Sequence, residues 1–311
     1  MKVLVTCPPM LKQIDRFRKQ FQDKNVELIA PDVVQTMTEG ELIAILPEMD
    51  GWIIGDDPAT AAVFEAGKAG NLKAAVKWGI GVDNVDFKAC ERLGIPITNT
   101  PNMFGEEVAS VAVGYVLGLA RHLFEIYQGV KVGNWPKPTG MSLRGKTVAL
   151  VGFGDIGKST AQFLKAMHMK INVYDPYAYK SSNEINSYSF LDWPIRIEYA
   201  DFVVTTCALT KETTHMINNE IISKLKHGVK IVNVSRGGII DENALINALE
   251  SKKVSGAALD VFETEPLPMD SPLRSFENCI FGTHNGSNTL EGVIRASNQA
   301  IEKLFGFLNI N

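Results

Sequence analysis

Cysteine is scarce and scattered. Cys7, Cys90, Cys207 and Cys279 include no C-x-x-C, so neither a disulfide framework nor a zinc knuckle is indicated. Reduced thiols in a cytoplasmic protein are the expectation. A basic excess is also missing: 31 Lys and Arg stand against 35 Asp and Glu, which leaves no broad positive field for nucleic acid. Long hydrophobic runs are missing as well. The longest, Val108 to Ala120, is interrupted by Ser110, Gly114 and Gly118 and falls short of a membrane span. Pro8-Pro9 arrives too early for a secretory signal core. No His, Cys or carboxylate spacing suits a metal, which argues against a metal-dependent lyase. The expectation is therefore no metal, no nucleic acid and no membrane.

What is present is alternation. At 311 residues the chain is long for one core, so two domains are expected. Apolar runs at Val3–Thr6, Val26–Ala30, Trp52–Ile54, Leu72–Val76 and Ile95–Thr98 are separated by helical segments near 10–22, 60–69 and 84–92. A long apolar helix is expected from about Glu106. A second series begins at Thr147–Val151 and continues through Ile171–Tyr174, Phe202–Thr206, Ile231–Val234, Gly256–Val261 and Ile280–Gly282. Such alternation predicts α/β architecture, two doubly wound parallel sheets. The last stretch, Leu290 to Leu308, has helical apolar spacing, with Asn288 and Glu291 placed as a capping box.

The run Lys146–Val151 is followed at once by Gly152-Phe153-Gly154-Asp155-Ile156-Gly157 and a helix-like stretch, and the next strand ends at Asp175. Strand, G-x-G-x-x-G, helix, strand and acid together are a dinucleotide-binding pattern. Gly152 makes the turn, Gly154 admits the pyrophosphate, and Gly157 lets helix and strand pack. Asp175 would accept from the ribose hydroxyls and repel a 2′-phosphate, so the expected cofactor is NAD.

Further ordered motifs are Lys77-Trp78-Gly79-Ile80-Gly81-Val82-Asp83-Asn84-Val85-Asp86, Val232-Asn233-Val234-Ser235-Arg236-Gly237-Gly238, Leu259-Asp260-Val261-Phe262-Glu263-Thr264-Glu265-Pro266 and Thr283-His284-Asn285-Gly286. With the glycine turn, these resemble the D-2-hydroxyacid dehydrogenase family over essentially the whole chain. The resemblance implies an NAD-dependent oxidoreductase that interconverts a small D-2-hydroxy acid and its 2-keto acid. Arg236, Glu265 and His284 would be catalytic. A guanidinium can grip a carboxylate and polarise the neighbouring oxygen. Imidazole can take or return the hydroxyl proton, and a carboxylate can orient it. Glu265 is chosen over Glu263 because it directly precedes Pro266.

The resemblance also places Val234, Ser235, Asp260 and Gly286 beside the cofactor, with Gly152, Gly154, Asp155, Ile156, Gly157 and Asp175. Lys77, Gly79, Ile80, Gly81 and Val82 would form the substrate loop, whose backbone N–H groups face a carboxylate. Residues 1–100 with 285–311 would make a flavodoxin-like substrate domain, and 101–284 a Rossmann NAD domain, with the active site in a cleft. A homodimer is implied, with Gly133–Pro138 part of its arm; the exposure of Trp135 would fit that arm, and burial in its own subunit is the other reading. Three departures stand out: Ser110 where an acid is usual, Thr206 and Ala208 where His and Pro are usual, and Gly55-Asp56-Asp57-Pro58 without a phosphate-binding Arg. The overall resemblance leans toward the phosphoglycerate enzymes, but in the last departure Asp56 and Asp57 would oppose a phosphate, which predicts an unphosphorylated substrate. The competing reading is an NAD(H)-sensing, corepressor-like binding protein on the same fold.

Overall fold

Short β-branched runs bounded by turn residues become strands. In the computed structural model, which describes residues 1–178 and 187–310, they build two separate sheets with every pairing parallel. The chain divides into two units, Met1–Met103 with Asn288–Asn311, and Phe104–Ser287.

The first sheet contains Lys2–Val5 (β1), Glu27–Ile29 (β2), Gly51–Ile54 (β3), Ala74–Lys77 (β4) and Ile97–Asn99 (β5), in the order β2-β1-β3-β4-β5. This flavodoxin-like order reverses between β1 and β3, the place where open α/β sheets take ligands. The connecting helices are Pro8–Leu11 (α1), Asp15–Gln22 (α2), Glu39–Ile45 (α3), Ala61–Ala69 (α4) and Phe87–Leu93 (α5). The segment 10–22 is thus two helices rather than one. The short, weakly apolar α3 was not anticipated; its start is fixed by a capping box between Thr38 and Glu41. Asp86 caps α5 by accepting the Ala89 N–H at 2.9 Å. Leu4, Leu42, Trp52, Ile54 and Phe64 fill the core against this sheet.

The second sheet contains Thr147–Val151 (β6), Lys170–Tyr174 (β7), Ser189–Phe190 (β8), Phe202–Thr205 (β9), Val229–Asn233 (β10), Val254–Leu259 (β11) and Cys279–Phe281 (β12). Its order, β12-β11-β10-β9-β6-β7-β8, switches direction between β6 and β9. β8, two residues long, carries no readable periodicity. Gly105–Arg121 (α6), Leu123–Lys131 (α7), Asp155–Ala166 (α8), Asn219–Lys224 (α9) and Glu242–Glu250 (α10) cover this sheet or extend from it. α6 buries small and branched residues, among them Val108, Ala112, Val116 and Leu119, against α8 and the β10–β12 strands. It ends at His122, whose left-handed backbone (φ +55°) turns the chain into α7. No single helix among the described residues is long and apolar enough to cross a membrane.

The last helix, Leu290–Phe307 (α11), belongs to the first unit. Its cap is Thr289 rather than Asn288: the extended Thr289 backbone (φ −101°, ψ 154°) lets the hydroxyl accept the Gly292 N–H at 3.0 Å. Val293, Ala296, Ala300, Ile301, Leu304 and Phe305 face inward, whereas Leu290 is largely exposed. Leu304 and Leu308 occupy the space over Gly51 of β3, and Phe305 meets Phe21 edge-on at 5.3 Å. Ser297 sits on the apolar face because its hydroxyl accepts from Trp78 Nε1 at 3.1 Å.

Candidate active site

β6 delivers the glycine turn. Gly152 has φ +96°, and a Cβ there would run into the backbone of Cys207 beyond β9. Gly157 packs on the Gly152 carbonyl, which leaves no room for a side chain. At Gly154 the opposite holds: a Cβ would meet no atom within 4 Å. Open ground therefore lies before the first turn of α8, where unpaired N–H groups and the helix dipole suit an anion. The Asp155 side chain covers Gly105 of α6, and Ile156 continues the first turn.

Asp175, after β7, is clamped by three backbone amides. Its Oδ2 accepts from Phe153 at 2.7 Å, and its Oδ1 accepts from Tyr177 at 2.8 Å and Ala178 at 3.1 Å. This holds a carboxylate beside the glycine turn. Thr206, one of the departures from the family pattern, braces that turn by donating to the Gly152 carbonyl at 2.9 Å. Glycine geometry, open helix terminus and fixed acid together fit a dinucleotide.

Three adjacent strands, β10, β11 and β12, end at the remaining residues. Val234 and Ser235 are buried at the end of β10, where the Ser235 hydroxyl donates to Asn233 Oδ1 at 2.9 Å. Arg236 follows; its carbonyl accepts from Asn233 Nδ2 at 2.9 Å and its Nη1 donates to the Ser235 carbonyl at 2.8 Å. A Cβ at Gly237 would collide with the backbone of Phe262, so Arg236 needs a glycine after it.

Glu265 Oε2 lies 2.8 Å from His284 Nδ1, with both side chains about one-fifth exposed. His284 has φ +53°, a conformation that costs a non-glycine residue roughly 1–2 kcal/mol. Asp260 holds it there. The Asp260 carbonyl accepts the His284 N–H at 2.6 Å, and its Oδ2 accepts the Gly286 N–H at 2.8 Å. Tyr115, from α6, donates to Asp260 Oδ1 at 3.2 Å. Burial and the Asp260 carboxylate raise the Tyr115 phenol above its ordinary pKa, so it stays a donor. Gly282 is required because a Cβ would strike both Asp260 and the Tyr115 hydroxyl.

Glu263 is committed elsewhere: its Oε1 lies 2.8 Å from His215 Nε2 and accepts from the Glu242 amide at 3.3 Å. His122 pairs with Glu125 at 2.9 Å, while His168 and His227 are exposed. Of the five histidines, His284 is the one the structure couples to Glu265.

In the first unit, Lys77 ends β4 and is followed by the glycine-rich loop. Gly79 has φ +111°. Its N–H is donated to Thr100 Oγ1 at 2.7 Å, so this amide turns inward rather than toward an anion. Asn99 Nδ2 donates to the Ile80 carbonyl at 3.1 Å, and the Ile80 and Val82 side chains are exposed. Asp57 was expected to oppose a phosphate. It instead points into the unit, where it bonds Thr6 and accepts the amides of Gly55 at 3.0 Å and Met37 at 2.8 Å.

Residues 113–286 match the D-isomer specific 2-hydroxyacid dehydrogenase, NAD binding domain. A hydroxypyruvate reductase of Thermotoga maritima is 39% identical over 280 residues, covering 88% of this chain and 90% of that protein. The chain belongs to the D-2-hydroxyacid dehydrogenase family.

A D-3-phosphoglycerate dehydrogenase of Synechocystis is 36% identical over 88% of this chain, which spans only 49% of that longer protein. The crystal structure of the TT0316 protein from Thermus thermophilus superposes with a TM-score of 0.88 at 30% identity, covering 99% of this chain and 97% of that one. The dehydrogenase thus has the expected two parallel α/β sheets and uses NAD. The corepressor-like alternative gains no support from these relatives.

Sequence reasoning missed Tyr115, the brace that Thr206 makes under the glycine turn, and the hydrogen bonds joining Thr205, Asn233 and Ser235. A tyrosine amid the small residues of α6 and two hydroxyls ending β9 were the available signals, and each is ordinary in a core.

Proposed function

We propose that this dehydrogenase reduces a short 2-keto acid to the D-2-hydroxy acid, and runs the reverse reaction, with Arg236, Glu265 and His284 as its catalytic residues. The observation that carries this reading is the His284–Glu265 pair, 2.8 Å apart, on a backbone that the Asp260 carbonyl and carboxylate hold at φ +53°. The hydride would pass to or from the nicotinamide of NAD(H) held by these residues. Arg236 grips the substrate carboxylate and polarises the C2 oxygen. His284, with Nδ1 engaged by Glu265, gives or takes the proton at Nε2, and the developing imidazolium is stabilised by the Glu265 carboxylate. Gly152, Gly154, Asp155, Ile156, Gly157 and Asp175 seat the adenosine and pyrophosphate, with Val234, Ser235, Asp260 and Gly286 further along the cofactor. The backbone of Ile80, Gly81 and Val82 takes the substrate in the first unit, which is then the substrate domain; Lys77, expected in the same role, is 3% exposed and donates to Asp56 and the Trp78 carbonyl, so it supports the loop from behind.

The α7 face supports a homodimer. Leu123, Phe124, Tyr127, Val130 and Val132 are exposed, and Trp135 is 78% exposed. A patch of this kind favours a partner surface over water. The unpaired cysteines fit a cytoplasmic protein.

The test is NADH oxidation with glyoxylate, hydroxypyruvate, pyruvate and 2-ketoglutarate, in wild type, His284→Ala and Arg236→Ala. Each variant is expected to keep NADH binding by fluorescence titration and to lose roughly two to four powers of ten in kcat. A His284→Ala enzyme with wild-type kcat on its best substrate would remove the proton-transfer assignment. Sedimentation of wild type and Trp135→Ser checks the dimer.

A further inference from the structure

Glu263 stands two residues before Glu265, and its bonds run to two other segments of the second unit. Its Oε1 accepts the Glu242 N–H at 3.3 Å, and its own N–H is donated to Glu242 Oε1 at 2.7 Å. The two acids are thus joined twice, each carboxylate on the other's amide, which fastens the loop after β11 to the first residue of α10. The same Oε1 lies 2.8 Å from His215 Nε2. His215 is itself fixed beside the turn that follows Arg236: its N–H is donated to the Gly238 carbonyl at 2.8 Å, and the Ile217 N–H to the Ile239 carbonyl at 3.1 Å. A Cβ at Gly237 would strike the backbone of both Phe262 and Glu263, so the two loops also touch directly. Burial pushes the Glu242 carboxyl up, and the charges of Glu263 and Glu265 add to this, partly offset by the Glu263 amide. Three acids therefore crowd one loop, and their amide and imidazole partners keep them apart.

We infer that Glu263, Glu242 and His215 form a brace that sets the position of Glu265 relative to Arg236, with Glu263 at its centre. This rests on the reading above that Arg236 and Glu265 serve the proton transfer at His284. The three are positioning residues, and each acts through the backbone of a catalytic one. Glu265 Oε1 accepts the Phe262 N–H at 3.0 Å, so the carboxylate that orients the imidazole moves with the Phe262–Glu263 peptide. Arg236 moves with Gly237 and Gly238. The reciprocal Glu242–Glu263 bonds and the His215 side chain tie those two stretches of backbone together. The His215 and Glu263 side chains are 48% and 33% exposed, and an ion pair so open to water adds little to stability. The effect of the brace therefore falls on catalytic geometry, where a displacement of about 1 Å can cost a hundredfold in rate.

The experiment measures kcat, KM, NADH affinity and thermal unfolding on whichever of glyoxylate, hydroxypyruvate, pyruvate and 2-ketoglutarate wild type turns over best. Glu263→Ala is expected to lower kcat roughly tenfold to a hundredfold, with KM changed far less and with NADH affinity and unfolding midpoint close to wild type. Glu263→Gln keeps an oxygen for the Glu242 amide and His215, and is expected to recover most of that loss. His215→Asn tolerates the φ +49° backbone but is too short to reach Glu263, and is expected to lower kcat in the same way. The variant carrying both His215→Asn and Glu263→Ala is expected to lose much less than the product of the two separate losses, because both act through one contact. Should Glu263→Ala fail to fold, His215→Asn against wild type decides. Wild-type kcat in Glu263→Ala or His215→Asn, a loss that Gln does not recover, or losses that multiply in the double variant overturn this inference and leave the dehydrogenase reading intact. Absence of NADH oxidation by wild type with all four acids overturns the dehydrogenase reading, and this inference falls with it.

Discussion

Glu265 divides its two oxygens between His284 and the main chain: Oε2 lies 2.8 Å from His284 Nδ1, and Oε1 accepts the Phe262 N–H at 3.0 Å. The imidazole is thereby oriented against the backbone just beyond β11. Glu265→Gln keeps the size of the side chain but removes its charge and one acceptor. kcat is expected to fall by roughly two powers of ten or more with NADH affinity unchanged. Steady-state kinetics beside an NADH titration checks this, and equal kcat values would show that Glu265 does not support the ring.

On the proposed reading, the fixed carboxylate of Asp175 sets cofactor choice. Asp175→Asn is expected to raise the NADPH to NADH ratio of kcat/KM by about tenfold, through loss of repulsion toward the 2′-phosphate. Backbone amides donate to both oxygens of Asp175, so Asn keeps the size and one of the two acceptors, where a smaller residue would release all three amides. A ratio that stays put would mean the carboxylate does not face the ribose.

Gly282 tests whether the His284 loop depends on its close approach to Asp260. Gly282→Ala adds one methyl where Asp260 and the Tyr115 hydroxyl already sit. The expected cost is about 1–3 kcal/mol of stability, together with a loss of kcat exceeding any change in NADH binding. Urea denaturation and kinetics on the same preparation check both, and a variant indistinguishable from wild type would show a looser loop.

Asp201 links β6 to β9 and carries a pH dependence. Its Oδ2 accepts the Thr147 N–H at 2.9 Å and its Oδ1 accepts from Lys226 Nζ at 2.7 Å. Burial pushes its carboxyl up, but Lys226 and the Thr147 amide outweigh that and hold it below the usual carboxylate value. A depressed folded-state pKa contributes stability above the ordinary carboxylate range and loses it as pH falls through the folded value. Asp201→Asn is therefore expected to cost about 1–3 kcal/mol at pH 7, with the gap to wild type closing below about pH 4. Urea melts across that range check it; a constant gap would exclude linkage at Asp201.

Most of both sheets was legible in the sequence because parallel strands are buried on two faces and read as continuous apolar runs. α3 and β8 were not, since seven and two residues carry too little periodicity. The glycine turn and the order of Arg236, Glu265 and His284 could be read from motifs. The choice of Glu265 over Glu263 came from the resemblance, through Pro266; what only the fold shows is that Glu263 meets His215. Asp57 was misjudged for a related reason: sequence shows two adjacent acids, whereas the Thr6 hydroxyl and two amides decide that one of them turns inward.

The first unit takes its closing helix, α11, from the far end of the chain, so its assembly is tied to the order of synthesis. Residues 1–103 can emerge and pair their strands, but the patch around Gly51, Phe21 and Trp78 stays uncovered until residues 290–307 have been made. The second unit is contiguous and completes itself earlier. During that interval the nascent first sheet is the aggregation-prone part of the molecule. A ribosome stalled shortly before α11 would hold a finished cofactor unit beside an unsealed partner sheet.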